Sequence, residues 1–227
     1  MKLKQASDRA ILLDFSSEQL ASPDALAARV RAWFHCLQNS HDLGLTSVQP
    51  AYSTILVKYD PLTFDPDSLC EKLQSLSKKI ISQNTVPLAR EVRVPVCYEA
   101  PYAPDLETVA RSTGLSPSEI IKRHSSAVYS VYFLGFMPGF AYLGGLPPEL
   151  STPRLSTPRR LVPKGSVGIA GSQTGVYPVE SPGGWQIIGR TPANLFDATR
   201  ENPALLGIGD RVHFEAITSD EFERLSS

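Results

Sequence analysis

The chain is poor in cysteine: Cys36, Cys70 and Cys97 are its whole complement. An odd number of widely spaced thiols, with no CxxC pair and no histidine at ligand spacing, excludes a disulfide framework and a structural zinc site. They read as reduced thiols of a cytoplasmic protein. Neither sign of charge is in excess, since 22 Lys and Arg face 23 Asp and Glu for a net charge of -1. A nucleic-acid-binding chain would carry a clear basic surplus. No GxSxG elbow is present, which removes the usual esterase nucleophile. Gly165-Ser-Val-Gly-Ile-Ala-Gly171 lacks the Gly-Lys-Ser/Thr ending of a phosphate loop, and Lys164 precedes its glycines. A self-contained P-loop ATPase is therefore excluded. The start MKLKQASDRAILLDF holds only a short apolar run broken by Asp14, so no signal peptide is expected. Ser125 to Pro148 carries no charge and is long enough to span a bilayer. Pro138 and four glycines would break a helix there, and its aromatic, β-branched beginning reads as a buried strand.

What the chain does have is concentrated in one stretch, Pro158 to Pro192. It holds Gly, Pro, Ser, Thr, Gln, Tyr, Trp and Arg in loops between very short apolar runs. Glycines allow sharp turns and close backbone approach, while prolines fix the turns. Between Leu150 and Phe196 the single carboxylate is Glu180, against Arg154, Arg159, Arg160, Lys164 and Arg190. A turn-rich surface with this local basic bias suits an anionic group.

At 227 residues the chain can form one large domain or two small ones. Asp8–Phe15 reads as a first strand. Ser22-Pro23 caps a helix with Leu26, Val30, Trp33, Phe34 and Leu37 on one face. Strands at Leu45–Gln49 and Ser53–Tyr59 follow, then a helix from Asp65-Pro66 with Leu69, Leu73, Leu76 and Ile80 on its apolar side. Arg90–Tyr98 alternates strictly and reads as a strand. The order βαββαβ is that of a ferredoxin-like sandwich. Asp105 is placed to cap a short helix ending at Gly114. Ser116-Pro117-Ser118-Glu119 is a capping box with Pro at the first helical position. Beyond it strands are expected at Ala127–Leu134, Val167–Ala170, Trp185–Gly189 and Arg211–Ile217. Thirteen of fifteen glycines lie past Phe133, which favours a closed barrel with long loops.

His124, in the last turn of the capped helix, is the histidine best placed for function. The helix C-terminus favours its protonated form, suited to binding an anion or donating a proton. A histidine capping the helix carbonyls is the plain alternative. His213 reads as a structural strand residue. Arg159, Gln173, Tyr177, Ser181, Trp185 and Arg190, with Lys164, compose a polar, cationic pocket. Arg offers a planar fork to carboxylate or phosphate, Gln and Tyr can bond an amide, and Trp gives a flat wall. No metal site is expected.

Several motifs are shared with a known family. Val131–Pro147 (VYFLGFMPGFAYLGGLP), Ser156–Arg159 (STPR), Val162–Pro192 and Leu195–Asp197 (LFD) resemble the allophanate hydrolase subunit 1/KipI family, which is also that of the B component of bacterial 5-oxoprolinase. APDL at Ala103–Leu106 stands where GPDL is usual, and Lys164 stands where a small residue is common. The resemblance implies an α+β architecture: a ferredoxin-like domain over residues 1–88, then a cyclophilin-like β-barrel of carboxyltransferase-subdomain type over 89–227. It further implies a cytoplasmic component of a multi-chain enzyme, inactive alone, that pairs with the barrel of a C component and works with an A component. The complex would convert 5-oxo-L-proline, ATP and water to L-glutamate, ADP and phosphate. ATP is then a co-substrate, with Mg2+ left open, and no tightly bound cofactor is expected. Within that picture His124 and Arg159 are the catalytic candidates, and Gln173, Tyr177, Ser181, Trp185 and Arg190 the substrate-binding ones. The same family also implies two other readings, an inhibitor bound to a sensor histidine kinase and a carboxyltransferase-like partner in urea or allophanate metabolism. Neither nucleic acid nor membrane is an expected partner.

Overall fold

A computed structural model describes residues 1–83 and 89–226, which form two compact units, Met1–Leu88 and Ala89–Ser227. In the first, β1 (Lys2–Ser7) and β2 (Ala10–Asp14) form a hairpin, followed by α1 (Pro23–Gln38), β3 (Leu45–Pro50), β4 (Thr54–Tyr59) and α2 (Pro66–Gln83). The sheet runs β1-β2-β4-β3, antiparallel throughout. The Ser22 side chain accepts from the Ala25 amide and Pro23 opens α1, as the capping signal requires. Val30, Trp33, Phe34 and Leu37 are the buried face of that helix. From α2, Leu69 and Leu73 are fully buried. The sheet has ferredoxin-like strand order, with one correction. Its outer strand is β1, not Arg90–Tyr98. β1 is exposed at five of its six residues, so it has no inward apolar row for a sequence pattern to reveal.

Arg90–Tyr98 instead supplies β5 (Glu91–Cys97) to the second unit. After it come α3 (Leu106–Thr113), α4 (Pro117–Ser126), β6 (Val128–Leu134), β7 (Ala141–Gly144), β8 (Arg159–Val162), β9 (Ser166–Ala170), β10 (Gln173–Val176), β11 (Ser181–Gly183), β12 (Gln186–Arg190), β13 (Arg211–Ile217) and α5 (Ser219–Ser226). Seven strands close a barrel in the order β10-β7-β6-β13-β5-β12-β9, and β8 pairs with β11 in a separate two-stranded arm. β5 lies parallel to β13 from Arg211↔Glu91 to Ile217↔Cys97. Alternation announces a strand but not its sheet; here Val94 and Val96 enter the barrel core beside Val212 and Phe214.

The uncharged stretch from Ser125 folds as the end of α4, then β6 and β7 joined by a tight turn. Among the described residues no helix is long and apolar enough to cross a membrane. The α4 capping box forms in full: the Ser116 hydroxyl accepts from the Glu119 amide while Glu119 accepts from the Ser116 amide. A second apolar cluster, outside the main barrel core, joins Phe140, Val162, Ala170, Tyr177, Trp185 and Ile187. It underlies the candidate site.

Candidate functional site

His124 is the first correction. It is fully buried, and its ring stacks on Phe214 with centroids 4.8 Å apart. Nε2 lies 3.0 Å from Thr174 Oγ1, and Thr174 donates its own proton to the Gly168 carbonyl at 3.0 Å. Thr174 can therefore only accept from His124, so Nε2 carries the hydrogen. Nδ1 then accepts from the Tyr98 hydroxyl at 2.8 Å. Burial pushes the His124 pKa down to about 3. The helix terminus that favours the charged form is worth about 0.3–2 kcal/mol. Full desolvation moves a group by up to about 3–5 pKa units, which is several kcal/mol, so burial wins. His124 is neutral, has both ring nitrogens bonded and is closed from solvent. It is a core histidine, neither the expected cation nor a terminal cap.

Arg159 is also committed internally. Its guanidinium pairs with the Asp105 carboxylate and donates to the Trp185 carbonyl at 3.2 Å. The other Asp105 oxygen accepts from the Ile187 amide at 2.6 Å. Asp105 thus sits at the start of α3 without capping it, because its side chain is drawn to β12 instead. Arg159 and Asp105 together clamp the backbone on both sides of Gln186. The Arg190 Nε donates to the Lys164 carbonyl at 2.7 Å, and its guanidinium lies 5.8 Å from the Phe222 ring centre on α5. Lys164 Nζ bonds Asn194 Oδ1 at 3.0 Å. Gln173 opens β10, half-buried. Ser181 pairs with Val162 across the two-stranded arm, and its buried hydroxyl has no hydrogen-bond partner among the described residues.

Of the seven expected residues, the structure brings Tyr177 and Trp185 together in one cleft of about 230 Å³, and Arg159 and Arg190 together in another of about 310 Å³. His124, Gln173 and Ser181 line neither. The smaller cleft is an aromatic box. Phe140 is its hub, at 5.5 Å and 80° to Tyr177, 5.6 Å and 86° to Trp185, and 4.9 Å to Tyr142. Such edge-to-face arrangements set the rings firmly against one another. Glycines make the packing possible. A Cβ at Gly183 would stand 2.4 Å from the Tyr177 hydroxyl, and one at Gly175 would press on Phe140 and Trp185 at 3.2 Å.

The side chains that line the cleft without being singled out by the sequence as site residues include Phe136, Phe140, Tyr142 and Arg154. Phe136 is 64% exposed and holds a left-handed backbone, φ 68°, in the β6–β7 turn. A bulky residue there costs about 1–3 kcal/mol, and strain of that kind is kept where the side chain has work to do. The signal available is the Phe-Met-Pro-Gly-Phe run itself, which reads equally as a turn. Arg154 lies 6.0 Å from the Trp185 ring centre and is exposed. Burial raises the Tyr177 phenol, while the Trp185 backbone, Arg154 and Arg159 oppose that rise. Among the described residues, neither carboxylate, imidazole nor thiol lines this cleft. Its polar groups are the Arg154 guanidinium and the phenols of Tyr142 and Tyr177, which suit recognition and charge stabilisation. Among the described residues no group of three or more His, Cys, Asp or Glu is placed to hold a metal ion.

The sequence matches the carboxyltransferase domain, subdomain C and D, over residues 1–206. The chain belongs to that family. The B component of Escherichia coli 5-oxoprolinase is 44% identical over 201 residues, covering 86% of this chain and 89% of the relative. The crystal structure of TTHA0988 is 35% identical with a TM-score of 0.78; it aligns with 93% of this chain, which spans only 40% of that longer chain. The Kluyveromyces lactis urea carboxylase shares the fold at 21% identity and a TM-score of 0.75, aligning with 98% of this chain and 22% of its own. The α+β architecture with a closed barrel is that of this carboxyltransferase family.

Proposed function

We propose that the chain is the B component of an ATP-dependent 5-oxoprolinase, acting with a C component and an A component on 5-oxo-L-proline. The observation that carries this reading is the composition of the aromatic cleft: aromatic walls and one arginine, with no carboxylate, imidazole or thiol among its described lining. Such a site binds and polarises but does not complete a hydrolysis, so another chain of the complex supplies what is missing. The name of the E. coli relative supports the same assignment.

The lactam of 5-oxo-L-proline is resonance-stabilised and resists water at neutral pH. Transfer of the ATP γ-phosphoryl group to the amide oxygen releases ADP and makes the ring carbon electrophilic. One water opens the ring at the C–N bond, whose nitrogen takes up protons, and a further water releases the phosphoryl group as phosphate. In this chain Trp185, Tyr142 and Phe140 provide the apolar wall against which the flat ring lies. The Tyr177 hydroxyl reaches toward the amide. Arg159 is a positioning residue, holding Trp185 through its carbonyl. Mg2+ accompanies ATP as part of the co-substrate. The unpaired thiols Cys36, Cys70 and Cys97 agree with a cytoplasmic setting.

The test is glutamate formation from 5-oxo-L-proline and ATP by the three purified proteins. Turnover is expected only when this chain is present, and none from this chain alone. An unchanged rate when it is omitted, or turnover by it in isolation, overturns the proposal.

A further inference from the structure

We infer that Arg154 is the residue that holds the carboxylate of the bound ligand, and that the cleft therefore selects small ring amides bearing a carboxylate over neutral ones. This rests on the functional reading above and deepens it. The sequence points to Arg159 and Arg190 for this role. The structure commits both elsewhere: Arg159 is paired with Asp105, and Arg190 is folded onto the Lys164 carbonyl and Phe222. Arg154 is the cation of the aromatic cleft, and no ion pair to it is found among the described residues.

Arg154 is held in place from both sides. The Pro153 carbonyl accepts from Gln186 Nε2 at 3.2 Å, and the Leu155 amide donates to the Gly184 carbonyl at 2.8 Å. The residues flanking Arg154 are thus bonded to the residues flanking Trp185. This arrangement anchors the Arg154 backbone beside Trp185; its guanidinium lies over the indole at 6.0 Å, where its charge also acts on Tyr177. An arginine in contact with an aromatic face keeps its planar edge free for two parallel hydrogen bonds. A carboxylate is the group that accepts both. The face of Trp185 and the ring edges of Phe140 and Tyr142 then meet the apolar part of a small ring, in a volume of about 230 Å³ that admits a five-membered lactam with room to spare. A neutral lactam would fill the same walls but leave Arg154 without its partner, which gives the cleft its selectivity.

The experiment uses the reconstituted complex and two ligands, 5-oxo-L-proline and its decarboxylated counterpart 2-pyrrolidinone. Equilibrium dialysis with labelled 5-oxo-L-proline, competed by 2-pyrrolidinone, reads affinity; glutamate formation reads KM. Arg154→Ala is expected to weaken 5-oxo-L-proline about 10- to 100-fold, the range for losing a charge-assisted bond. Affinity for 2-pyrrolidinone and KM for ATP stay within about 3-fold, a change too small for a lost charged contact. Arg154→Lys, which keeps charge without the fork, falls between. A complex that turns over with unchanged KM in Arg154→Ala overturns this inference and leaves the functional reading standing. So does equal weakening of both ligands. A wild-type complex that binds 5-oxo-L-proline through Arg154 but forms no glutamate overturns the functional reading alone. A wild-type complex that neither binds nor converts it overturns both.

Discussion

Two regions of the barrel unit are built from the same kinds of side chain and do opposite things. Around His124, two tyrosines, a threonine and a phenylalanine enclose an imidazole, and both of its nitrogens find partners inside the protein. Around Trp185, two tyrosines and a phenylalanine surround an indole, and Arg154 stands over it with no carboxylate lining the cleft. The first region is closed and saturated, so it contributes stability. In the second the rings are largely buried as well, but the exposed Phe136 and Arg154 line a cleft above them. The Arg154 guanidinium keeps donor capacity in reserve, so this region can bind something. Residue type alone does not separate them; accounting for hydrogen bonds does.

The largest way to break that contrast is His124→Ala. It leaves the Tyr98 and Thr174 hydroxyls without their partner and opens a cavity in the core. The barrel unit is expected to lose about 3–5 kcal/mol, read as a lower urea midpoint. The same network sets a pH dependence. The folded value of about 3 lies below the ordinary 6.5, so between them the unfolded chain binds a proton that the folded chain does not. This contribution to stability is whole above pH 6.5 and shrinks as pH falls toward 3. Urea midpoints of wild type should drop across that window, and those of a folded His124→Gln variant should drop less. Equal slopes would remove His124 as the cause.

Arg159→Ala sharpens the comparison at intermediate size. It strands the buried Asp105 carboxylate and slackens β12, for an expected loss of about 2 kcal/mol, discounted because the guanidinium is partly solvated. Arg154 is exposed, and its removal should leave the unfolding midpoint nearly unchanged. Two arginines so close in the chain should thus separate cleanly, one acting on stability and the other on substrate. Similar midpoints for the two variants would contradict the distinction.

Much of this is legible from residues. The α4 capping box and the apolar face of α1 appear where their spacing puts them. The concentration of glycines and prolines past Phe133 marks a barrel with elaborate loops. What sequence does not convey is commitment. Arg159 looks a better ligand-binding arginine than Arg154 until Asp105, 54 residues before Arg159, is found paired with it. His124 looks like a charged helix end because the helix is local information, whereas the burial that neutralises it comes from β10, β13 and the residue just after β5, all distant in the chain. The strand β1 escapes notice because an exposed outer strand has no apolar rhythm. β5 reads as part of the wrong sheet because pairing is a tertiary choice.

The central claim is that 5-oxo-L-proline binds against Trp185 in this chain. The chain has two tryptophans, Trp33 in the first unit and Trp185 in the cleft, and this allows an internal control. With this chain alone 15N-labelled in the reconstituted complex, two indole N–H resonances are recorded and assigned with Trp33→Phe. Adding 5-oxo-L-proline to saturation is predicted to shift the Trp185 resonance and leave that of Trp33 in place. A Trp185 resonance that stays fixed while the complex is saturated with substrate would contradict the claim.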